Sequence, residues 1–443
     1  MLNIGFLSLG CSKNLCDSEN MLGILAEKGY GIVADPAEAD VIVVNTCGFI
    51  DSAKQESIDA LLEMAEYKKG RCRLLVAAGC MAQRYPDDIR RELPEVDVII
   101  GTTVFDRIAE AIENGLKGKE ETLISSIDAD VPEGLPRVRT TAPHTAFLKI
   151  AEGCSNHCTY CAIPNIRGKY RSRTIEDILS EAETLAADGV KELIVIAQDT
   201  TRYGEDLYGE KRLPELLRRL CEIGGVEWVR VHYSYPEAVT DELIQTVKSE
   251  PKIVKYFDIP VQHGDNNVLK RMGRNTSREQ ISALVRRLRE EIPTVTLRTS
   301  LIAGFPGETE EEFEGLLSLI RELKFDRAGV FAYSQEEGTA AARLPGQISE
   351  EEKELRRDKA MELAQSISRE RNEKTVGSRL RVLVEGFDGN LWFGRSGGES
   401  PEVDPKIYFG TEDEVNIGDF IEVEIVDFDE YDLYGKQVEE EKQ

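Results

Sequence analysis

Residues 145–161 read TAFLKIAEGCSNHCTYC, a predicted β-strand that runs directly into a loop with three cysteines. These are Cys154, Cys158 and Cys161, with the spacing C-x3-C-x2-C. A disulfide needs two thiols and a tetrahedral zinc site needs four ligands, so three thiols fit neither. His157 is a poor fourth ligand, because its neighbour Cys158 is already a candidate ligand and adjacent side chains point in different directions. Such thiolate-rich surroundings favour iron–sulfur or zinc chemistry, and three thiolates on a four-iron cluster leave one iron open to an exogenous ligand.

The strand before these cysteines is the first of six apolar segments that alternate with helical segments. The predicted strands cover residues 146–151, 192–197, 228–232, 255–260, 294–302 and 328–333. A complete (β/α) barrel needs eight such units, so six predict an open, partial barrel with its active-site groups at the carboxyl ends of the strands. A long charged helix follows at about residues 349–374. We place this second domain at residues 144–375.

The first 117 residues also alternate strands with helices, which predicts an open α/β domain with a parallel sheet. Cys11, Cys47 and Cys80 each lie at the carboxyl end of a predicted strand, beside a glycine. Ligands bind outside the carboxyl ends of such strands, which lie about 4.8 Å apart. A single buried cysteine is often only a small apolar residue, but three in register with repeating elements indicate a second metal site. Residues 118–143 are polar and proline-containing, and we interpret them as a linker.

Residues 376–443 change character and predict a small all-β barrel. A hairpin turn is expected at Asp388-Gly389-Asn390. From Gly377 onward, 18 Asp or Glu residues face 6 Lys or Arg residues, which gives this part −12 of the total formal charge of −27. An acidic surface suits a basic protein partner, although acidity also serves solubility alone. Both interpretations stay open on charge alone.

The composition limits the class of protein. No apolar run approaches the roughly 18 residues that a membrane span requires, so we expect no membrane segment. The apolar start lacks a basic region and is short, which favours a first β-strand over a signal peptide. Nine cysteines without a signal peptide indicate a reduced, cytoplasmic protein that uses thiols for metal. The net charge of −27 argues against a general attraction to nucleic acid.

Weaker motifs follow other strands of the predicted barrel. In LIAGFPGETEEEF, Gly304 would let a flat ligand approach the backbone. Gln198 and Asp199 follow the second strand, where they would accept hydrogen bonds from a ligand ammonium group. His263 follows the fourth strand and His232 ends the third, and both are expected to face the same opening. Ordinary turns and helix caps account for these positions equally well.

Together with C-x3-C-x2-C, these motifs resemble the radical S-adenosylmethionine (SAM) superfamily. In that superfamily the open iron chelates the amino and carboxylate groups of SAM, and electron transfer breaks a C–S bond to yield a 5′-deoxyadenosyl radical. The chain departs from the superfamily's G-x-I-x-G-x-x-E pattern, since Ser300 replaces the first glycine and Glu308 comes one place late.

Over essentially its whole length the chain resembles the methylthiotransferase family, which combines an N-terminal cluster domain, a radical SAM partial barrel and a C-terminal TRAM domain. The stretches SLGCSKNLCDSE, NTCGFI, QDTTRYG, VQHGDNNVLKRMGR and the EGT of YSQEEGTAA are similar to the branch that modifies ribosomal protein S12. The tRNA-modifying relatives tend instead toward GCQMN near the first cysteine and GQNV after the second barrel strand.

The resemblance implies two 4Fe-4S clusters, with SAM as methyl donor and radical source. The implied ligands are Cys11, Cys47 and Cys80 for one cluster and the catalytic thiols Cys154, Cys158 and Cys161 for the other. The implied reaction adds a methylthio group to the β-carbon of an aspartate in S12, either free or in the assembled small subunit. An electron donor such as flavodoxin or ferredoxin is also implied. The β-carbon carries no proton acidic enough for base chemistry, so a radical must abstract a hydrogen atom.

Two alternatives remain at this stage. A tRNA methylthiotransferase that forms 2-methylthioadenosine derivatives would share every cluster cysteine. It is disfavoured because an RNA-binding face needs cations beside its aromatics, whereas Trp392, Phe393, Tyr408 and Phe409 have few and are expected to be core residues. The other alternative, from a different class, is a non-catalytic binding module with zinc at both cysteine sets.

Overall fold

The N-terminal part is a parallel sheet covered by helices on both faces. The computed structural model describes residues 1–438. The strands are β1 (Asn3–Ser8), β2 (Gly31–Val33), β3 (Val41–Thr46), β4 (Leu74–Ala78), β5 (Val98–Ile100) and β6 (Glu121–Leu123). The helices are α1 (Ser12–Glu27), α2 (Asp51–Glu66), α3 (Gly79–Arg84), α4 (Pro86–Glu92) and α5 (Ile108–Leu116). The strand order is β2-β1-β3-β4-β5-β6, so the three strands that precede the cysteines are adjacent.

One strand of this sheet lies in the segment that the sequence predicts as a linker. Strand β6 pairs with β5 in parallel, with Val98 opposite Glu121. An edge strand has one partner and a solvated side, so it needs neither length nor a continuous apolar pattern. The polar composition that suggested a linker is therefore compatible with an edge strand.

The central part is a partial barrel of six parallel strands. Its strands and a short two-stranded sheet are β7 (Thr145–Lys149), β8 (Ala151–Glu152), β9 (Arg171–Ser172), β10 (Glu192–Ile196), β11 (Trp228–Val231), β12 (Tyr256–Asp258), β13 (Thr296–Ala303) and β14 (Arg327–Ala332). Its helices are α6 (Pro164–Arg167), α7 (Ile175–Ala187), α8 (Glu205–Tyr208), α9 (Leu213–Cys221), α10 (Asp241–Ser249), α11 (Asn266–Arg271), α12 (Arg278–Glu291), α13 (Glu310–Leu323) and α14 (Glu350–Thr375).

Two three-stranded sheets join to form this barrel. Their orders are β7-β10-β11 and β12-β13-β14. A bridge between Val229 and Ile253 links them, as does a hydrogen bond of 2.8 Å from Ser234 N to Asp258 O. The predicted six-stranded partial barrel is confirmed. Among residues 1–438, we find no helix with the length and apolar character that crossing a bilayer requires.

The C-terminal part is a closed five-stranded barrel, as the sequence predicts. Its strands are β15 (Arg379–Phe387), β16 (Trp392–Arg395), β17 (Ile407–Gly410), β18 (Phe420–Phe428) and β19 (Leu433–Val438), in the order β15-β16-β17-β19-β18. Phe409 is a core residue, but Trp392, Phe393 and Tyr408 are only half-buried. Trp392 still packs against the core of this barrel, opposite Phe409, whereas Phe393 and Tyr408 are the next pair along and do not belong to the core, so the prediction is wrong for these two.

A loop of the C-terminal barrel, residues 396–404, fills the amino-terminal end of the central barrel. Ser400 Oγ lies 2.8 Å from His232 Nε2, and Tyr256 Oη donates to Asp404 over 2.6 Å. Arg327 at the start of β14 pairs with Glu399 over 2.9 Å. His232, at the carboxyl end of β11, is thus buried inside the barrel against this loop, and its Nε2 is engaged by Ser400 instead of facing a ligand. Because the loop closes one end, the carboxyl ends of the strands are left for ligand access.

A buried ionic triad joins this loop to the strands. Glu192 on β10 accepts from Arg230 Nε over 2.8 Å and from Arg395 Nη2 over 2.6 Å. All three side chains have at most 1% exposure. Burial alone would raise the pKa of Glu192, but the two guanidinium groups lower it to about 2. Buried charges of this kind are stable only while each keeps its partner.

We predict that Glu192→Gln destabilises the protein strongly, because it leaves the buried Arg230 guanidinium without a carboxylate and Arg395 with Glu385 alone. The expected loss is about 3–5 kcal/mol of unfolding free energy. Urea unfolding followed by circular dichroism measures it.

Glu227→Gln is the matched control. Glu227 pairs with Arg381 across the same domain boundary over 3.0 Å, but its side chain is 48% exposed. Its loss should cost at most about 1 kcal/mol. Equal losses in the two variants would show that burial of the triad contributes nothing.

Candidate functional site

The N-terminal cysteines lie together at one edge of the first sheet. Cys11, Cys47 and Cys80 follow the adjacent strands β1, β3 and β4. The turns that carry them touch: a Cβ atom at Gly10 would lie 3.0 Å from Cys47 Sγ, and one at Gly48 would lie 3.1 Å from the carbonyl carbon of Cys80. Each thiol is close enough for its charge to influence the pKa of another. The glycines beside the cysteines therefore allow the close approach of the three loops.

Two cations accompany these thiols. Arg167 Nε donates to Cys80 Sγ over 3.3 Å, and Lys13 lies two residues after Cys11. Burial raises the pKa of Cys80 to about 12 against the influence of Arg167. Burial also opposes ionisation of Cys11, but Lys13 and Arg167 outweigh it and lower the pKa of this thiol. The cations favour thiolates at this edge, the form in which cysteine binds metal.

A buried ionic network holds this edge against the central barrel. Arg167 pairs with Glu152 over 2.8 Å and with Asp17 over 3.0 Å. Lys149 pairs with Glu152 over 3.0 Å and also with Asp17. Burial would raise the pKa of Glu152, but Arg167 and Lys149 hold it well below its usual value. Since Asp17 is on α1 and the other three lie around β7, β8 and α6, the network fixes the first thiol set relative to the barrel.

Glu336, directly before the EGT motif that follows β14, provides a second connection. It is buried and accepts from Asp51 N over 2.8 Å, from Lys54 Nζ over 3.1 Å and from Arg84 Nη1 over 3.2 Å. Arg84 also donates to Gly48 O over 2.9 Å. Gly48 adjoins Cys47 and Arg84 ends α3, which contains Cys80. Glu336 therefore holds two of the three cysteine-bearing turns against the barrel.

The second cysteine set lies in the loop between β8 and α6. Cys154 and Cys158 are buried and Cys161 is half-buried. Burial raises the pKa of Cys154 to about 11 and that of Cys161 to about 12. Gly153 has φ of 75°, and a Cβ atom there would lie 2.0 Å from Lys169 O. Only glycine fits at the start of this loop, which brings the three thiols together at the carboxyl end of the first barrel strand.

The segment after α11 clamps this loop, a role that the sequence analysis missed. Arg274 Nη1 and Tyr235 Oη each lie 3.9 Å from Cys158 Sγ. The Arg274 guanidinium also stacks 4.3 Å from the centroid of the Tyr235 ring. A Cβ atom at Gly273 would lie 2.7 Å from His157 O, so the two segments are in tight contact. The basic run KRMGR was the available signal for a residue facing thiolates.

Gln198 has a free hydrogen-bond acceptor, whereas Asp199 does not. Asp199 is buried and accepts from Asn156 Nδ2 over 2.8 Å and from Thr201 N over 3.1 Å. It thus braces the cysteine loop through Asn156. Gln198 Nε2 donates to Glu152 over 3.0 Å, while its buried Oε1 has no hydrogen-bond partner within residues 1–438. The Gln198 carbonyl oxygen therefore fits a ligand donor, whereas the Asp199 carboxylate is already engaged.

Gly304 and His263 belong to one supported turn. Gly304 has φ of 75°, and a Cβ atom there would lie 2.5 Å from Lys353 Cγ. Its N–H donates to Glu308 over 3.1 Å. Asp265 N donates to His263 Nδ1, so His263 Nε2 carries the proton and donates to Glu308 over 3.2 Å. Both nitrogens of His263 are engaged, and the residue positions the Gly304 turn without offering a free nitrogen to a ligand.

Each donor set has the composition of an iron–sulfur ligand set, which is made of cysteine thiolates. In the part of the chain that the structure describes, no group of three or more His, Cys, Asp or Glu side chains is arranged to hold one metal ion. Each site offers three thiols without a neighbouring imidazole ligand, because His157 is exposed.

Three family models match consecutive parts of the chain. A model described as uncharacterized protein family UPF0004 matches residues 3–101. The radical SAM superfamily model matches residues 148–320, and the TRAM domain model matches residues 376–438. The expected order of an N-terminal α/β domain, a radical SAM partial barrel and a TRAM barrel is confirmed.

Solved structures share the fold at low sequence identity. TsrM, a radical SAM methyltransferase from Kitasatospora setae solved with cobalamin and a [4Fe-4S] cluster bound, has a TM-score of 0.56 and 13% identity, over 87% of this chain and 78% of that one. The cobalamin-dependent radical SAM enzyme OxsB has a TM-score of 0.54 and 14% identity, over 83% of this chain and 56% of OxsB. At these identities the likeness establishes the fold alone.

Curated relatives match at high identity along nearly their whole length. Ribosomal protein uS12 methylthiotransferase RimO of Lachnoclostridium phytofermentans is 51% identical over 437 residues, 98% of this chain and 99% of the relative. RimO of Clostridioides difficile is 51% identical, over 98% of both chains. RimO of Pelotomaculum thermopropionicum is 52% identical over 441 residues, 99% of both chains. The chain belongs to the RimO family of radical SAM methylthiotransferases.

Proposed function

We propose that this enzyme adds a methylthio group to the β-carbon of an aspartate in ribosomal protein S12, which is also called uS12. One observation carries the proposal: Cys80 of the first thiol set packs against Ala162, the residue after Cys161 of the second set. Two thiol sets in such close contact suit a reaction that joins a sulfur-bearing group to a carbon radical. The names of the relatives support this reaction over a tRNA substrate and over a zinc-bound binding module.

The proposal assigns one 4Fe-4S cluster to each thiol set. Cys11, Cys47 and Cys80 would hold one, and Cys154, Cys158 and Cys161 would hold the other, which also binds SAM. When bound, the clusters and SAM supply the radical, the sulfur and the methyl group, so that a C–H bond of the substrate breaks and a C–S bond forms.

In this reaction the residues of the chain bind SAM and shield the site from water. The free carbonyl oxygen of Gln198 accepts a hydrogen bond from a SAM donor group, and His263 holds the Gly304 turn in place. Arg274 and Tyr235 cover the Cys158 thiolate and exclude water from it. A dry, fixed site limits side reactions of a radical. The electron comes from outside the chain, and we assign it to a small donor of the flavodoxin or ferredoxin class in the cytoplasm.

The third domain supplies a surface for a basic substrate protein. The loop between β17 and β18 exposes three consecutive acidic residues, Glu412, Asp413 and Glu414. Ribosomal proteins are basic because they bind RNA. Such a surface attracts an opposite charge over a Debye length of about 8–10 Å and raises the rate of encounter.

We predict that anaerobically reconstituted enzyme with SAM and a reductant modifies uS12 and leaves tRNA unchanged. Mass spectrometry of both substrates measures this, and the expected gain on uS12 is one methylthio group minus one hydrogen. A gain on tRNA alone would contradict the substrate assignment.

A second prediction separates the roles of the thiol sets. Cys47→Ala should abolish methylthiolation of uS12 but keep cleavage of SAM to 5′-deoxyadenosine detectable, because the second set stays intact. Cys158→Ala should abolish both, because it removes a ligand of the SAM-binding cluster. Chromatography of 5′-deoxyadenosine and iron analysis measure these outcomes. Complete loss of cleavage in Cys47→Ala, with the second cluster intact by spectroscopy, would contradict separate roles.

A third prediction concerns the acidic loop. Neutralising Glu412, Asp413 and Glu414 to their amides should weaken uS12 binding several-fold at low salt, with a smaller effect at high salt, because screening already removes the attraction. Affinity measured at two ionic strengths tests it. The control is the same change at three exposed acids of α2, Asp59, Glu63 and Glu66. Equal weakening by both triple variants would show that only the total charge matters.

A further inference from the structure

Lys13 is a buried cation next to Cys11 of the first thiol set, and it has no carboxylate beside it. It lies in the first turn of α1, and the residue is only 8% exposed. Within residues 1–438 its ammonium forms no ion pair, and it lies 3.6 Å from the centroid of the Tyr233 ring. Burial of a charged group is costly unless an opposite charge compensates it, and an aromatic face compensates only in part. The Cys11 thiol is the one anionic group near Lys13 among the described residues, and Arg167 also acts on it, so the Lys13 ammonium is available to a ligand carboxylate.

The neighbouring cations are already paired. Arg167 and Lys149 share the carboxylates of Asp17 and Glu152. Arg274 stacks on its tyrosine and lies within 3.8 Å of a carboxylate oxygen of Glu237. Lys13 thus differs from the other buried cations around the two thiol sets in having no carboxylate partner.

The position of Tyr233 indicates where this anion would lie. Tyr233 follows β11 at the carboxyl end of the barrel and has φ of 63°, a left-handed conformation that is strained for a tyrosine. Tyr233 packs against a small apolar cluster from the first two barrel strands and α1, formed by Phe147, Ile194, Ile196 and Cys16. The strained backbone therefore directs the ring across the barrel, where it supports the Lys13 ammonium between the N-terminal domain and the strands.

We propose that Lys13, supported by the Tyr233 ring, binds the side-chain carboxylate of the substrate aspartate and so selects and positions the residue to be modified. This inference rests on the proposed function. The β-carbon is bonded directly to the carboxylate carbon, so an ion pair to the carboxylate fixes the carbon that reacts. Lys13 lies beside Cys11 of the first thiol set, so the pair holds that carbon at the opening shared by both sets. Asparagine lacks the charge, and glutamate would place the reacting carbon one bond farther away.

The test is a double-mutant cycle between Lys13 and the substrate aspartate. Lys13→Met keeps the apolar stem and removes the charge, and a uS12 variant with asparagine at the target position removes the opposite charge. Binding of both uS12 forms is measured on the full-length, anaerobically reconstituted enzyme. The original enzyme should bind the aspartate form about tenfold to a hundredfold more tightly than the asparagine form, as expected for a charge-assisted pair. Lys13→Met should bind both forms equally, and Lys13→Arg should restore most of the preference.

Lys28→Met is the matched control, because Lys28 is exposed at the other end of the same helix and loses the same charge. It should keep the full preference for the aspartate form. A Lys13→Met enzyme that still prefers that form as strongly as the original enzyme overturns the inference. Binding is compared at equal iron content of the two enzymes, because Lys13 also favours the thiolate form of Cys11.

The design separates this inference from the proposed function. If the original enzyme modifies uS12 but Lys13→Met keeps the aspartate preference, only the role of Lys13 fails. If the original enzyme neither binds nor modifies uS12, the substrate assignment itself fails, and with it the inference.

Discussion

The guanidinium group of Arg167 is the interaction on which the arrangement of the site depends. Arg167 is fully buried, contacts Cys80 of the first thiol set, and pairs with Asp17 of the N-terminal domain and Glu152 of the barrel. It also ends the short helix that follows the second thiol set. One side chain therefore connects both cysteine sets and both domains. Because a buried carboxylate without its partner is strongly destabilising, the two sets cannot separate without exposing Asp17 or Glu152 to a large penalty.

Buried ion pairs also stabilise the opposite end of the barrel, where they attach the C-terminal domain. There Glu192, Arg230 and Arg395 form a dry ionic triad, and the loop of residues 396–404 extends into the barrel until Ser400 contacts His232 at the carboxyl end of β11. The C-terminal domain is thus fixed to the strands that carry the site and is not a freely moving appendage. A rigid connection gives the acidic surface of that domain a constant position relative to the opening. Binding energy gained at that surface is then available to orient a substrate at the thiols.

Local patterns in the sequence were sufficient for the strands, the order of the domains and the two cysteine sets, because each depends on residues close together in the chain. Strand β6 was missed because an edge strand needs no apolar pattern. The two histidines lie at strand ends as expected, but their partners come from distant segments: Ser400 is 168 residues from His232, and Glu308 is 45 residues from His263. Arg167 and Arg274 belong to no periodic pattern, so only the folded chain brings them to the thiols.

The distribution of charge indicates how the protein attracts its substrate and then selects one residue of it. The chain carries a net charge of −27, yet four buried cations lie around the two thiol sets: Arg167, Lys149, Arg274 and Lys13. An exposed acidic domain acts over about a Debye length and draws in a basic protein without selecting a residue. Inside the opening, water is scarce and charges interact strongly, so a single ammonium group discriminates between side chains. Attraction of the whole substrate therefore needs negative charge on the surface, whereas selection of one aspartate needs positive charge in the interior. A uniformly acidic or uniformly basic protein would achieve only one of the two.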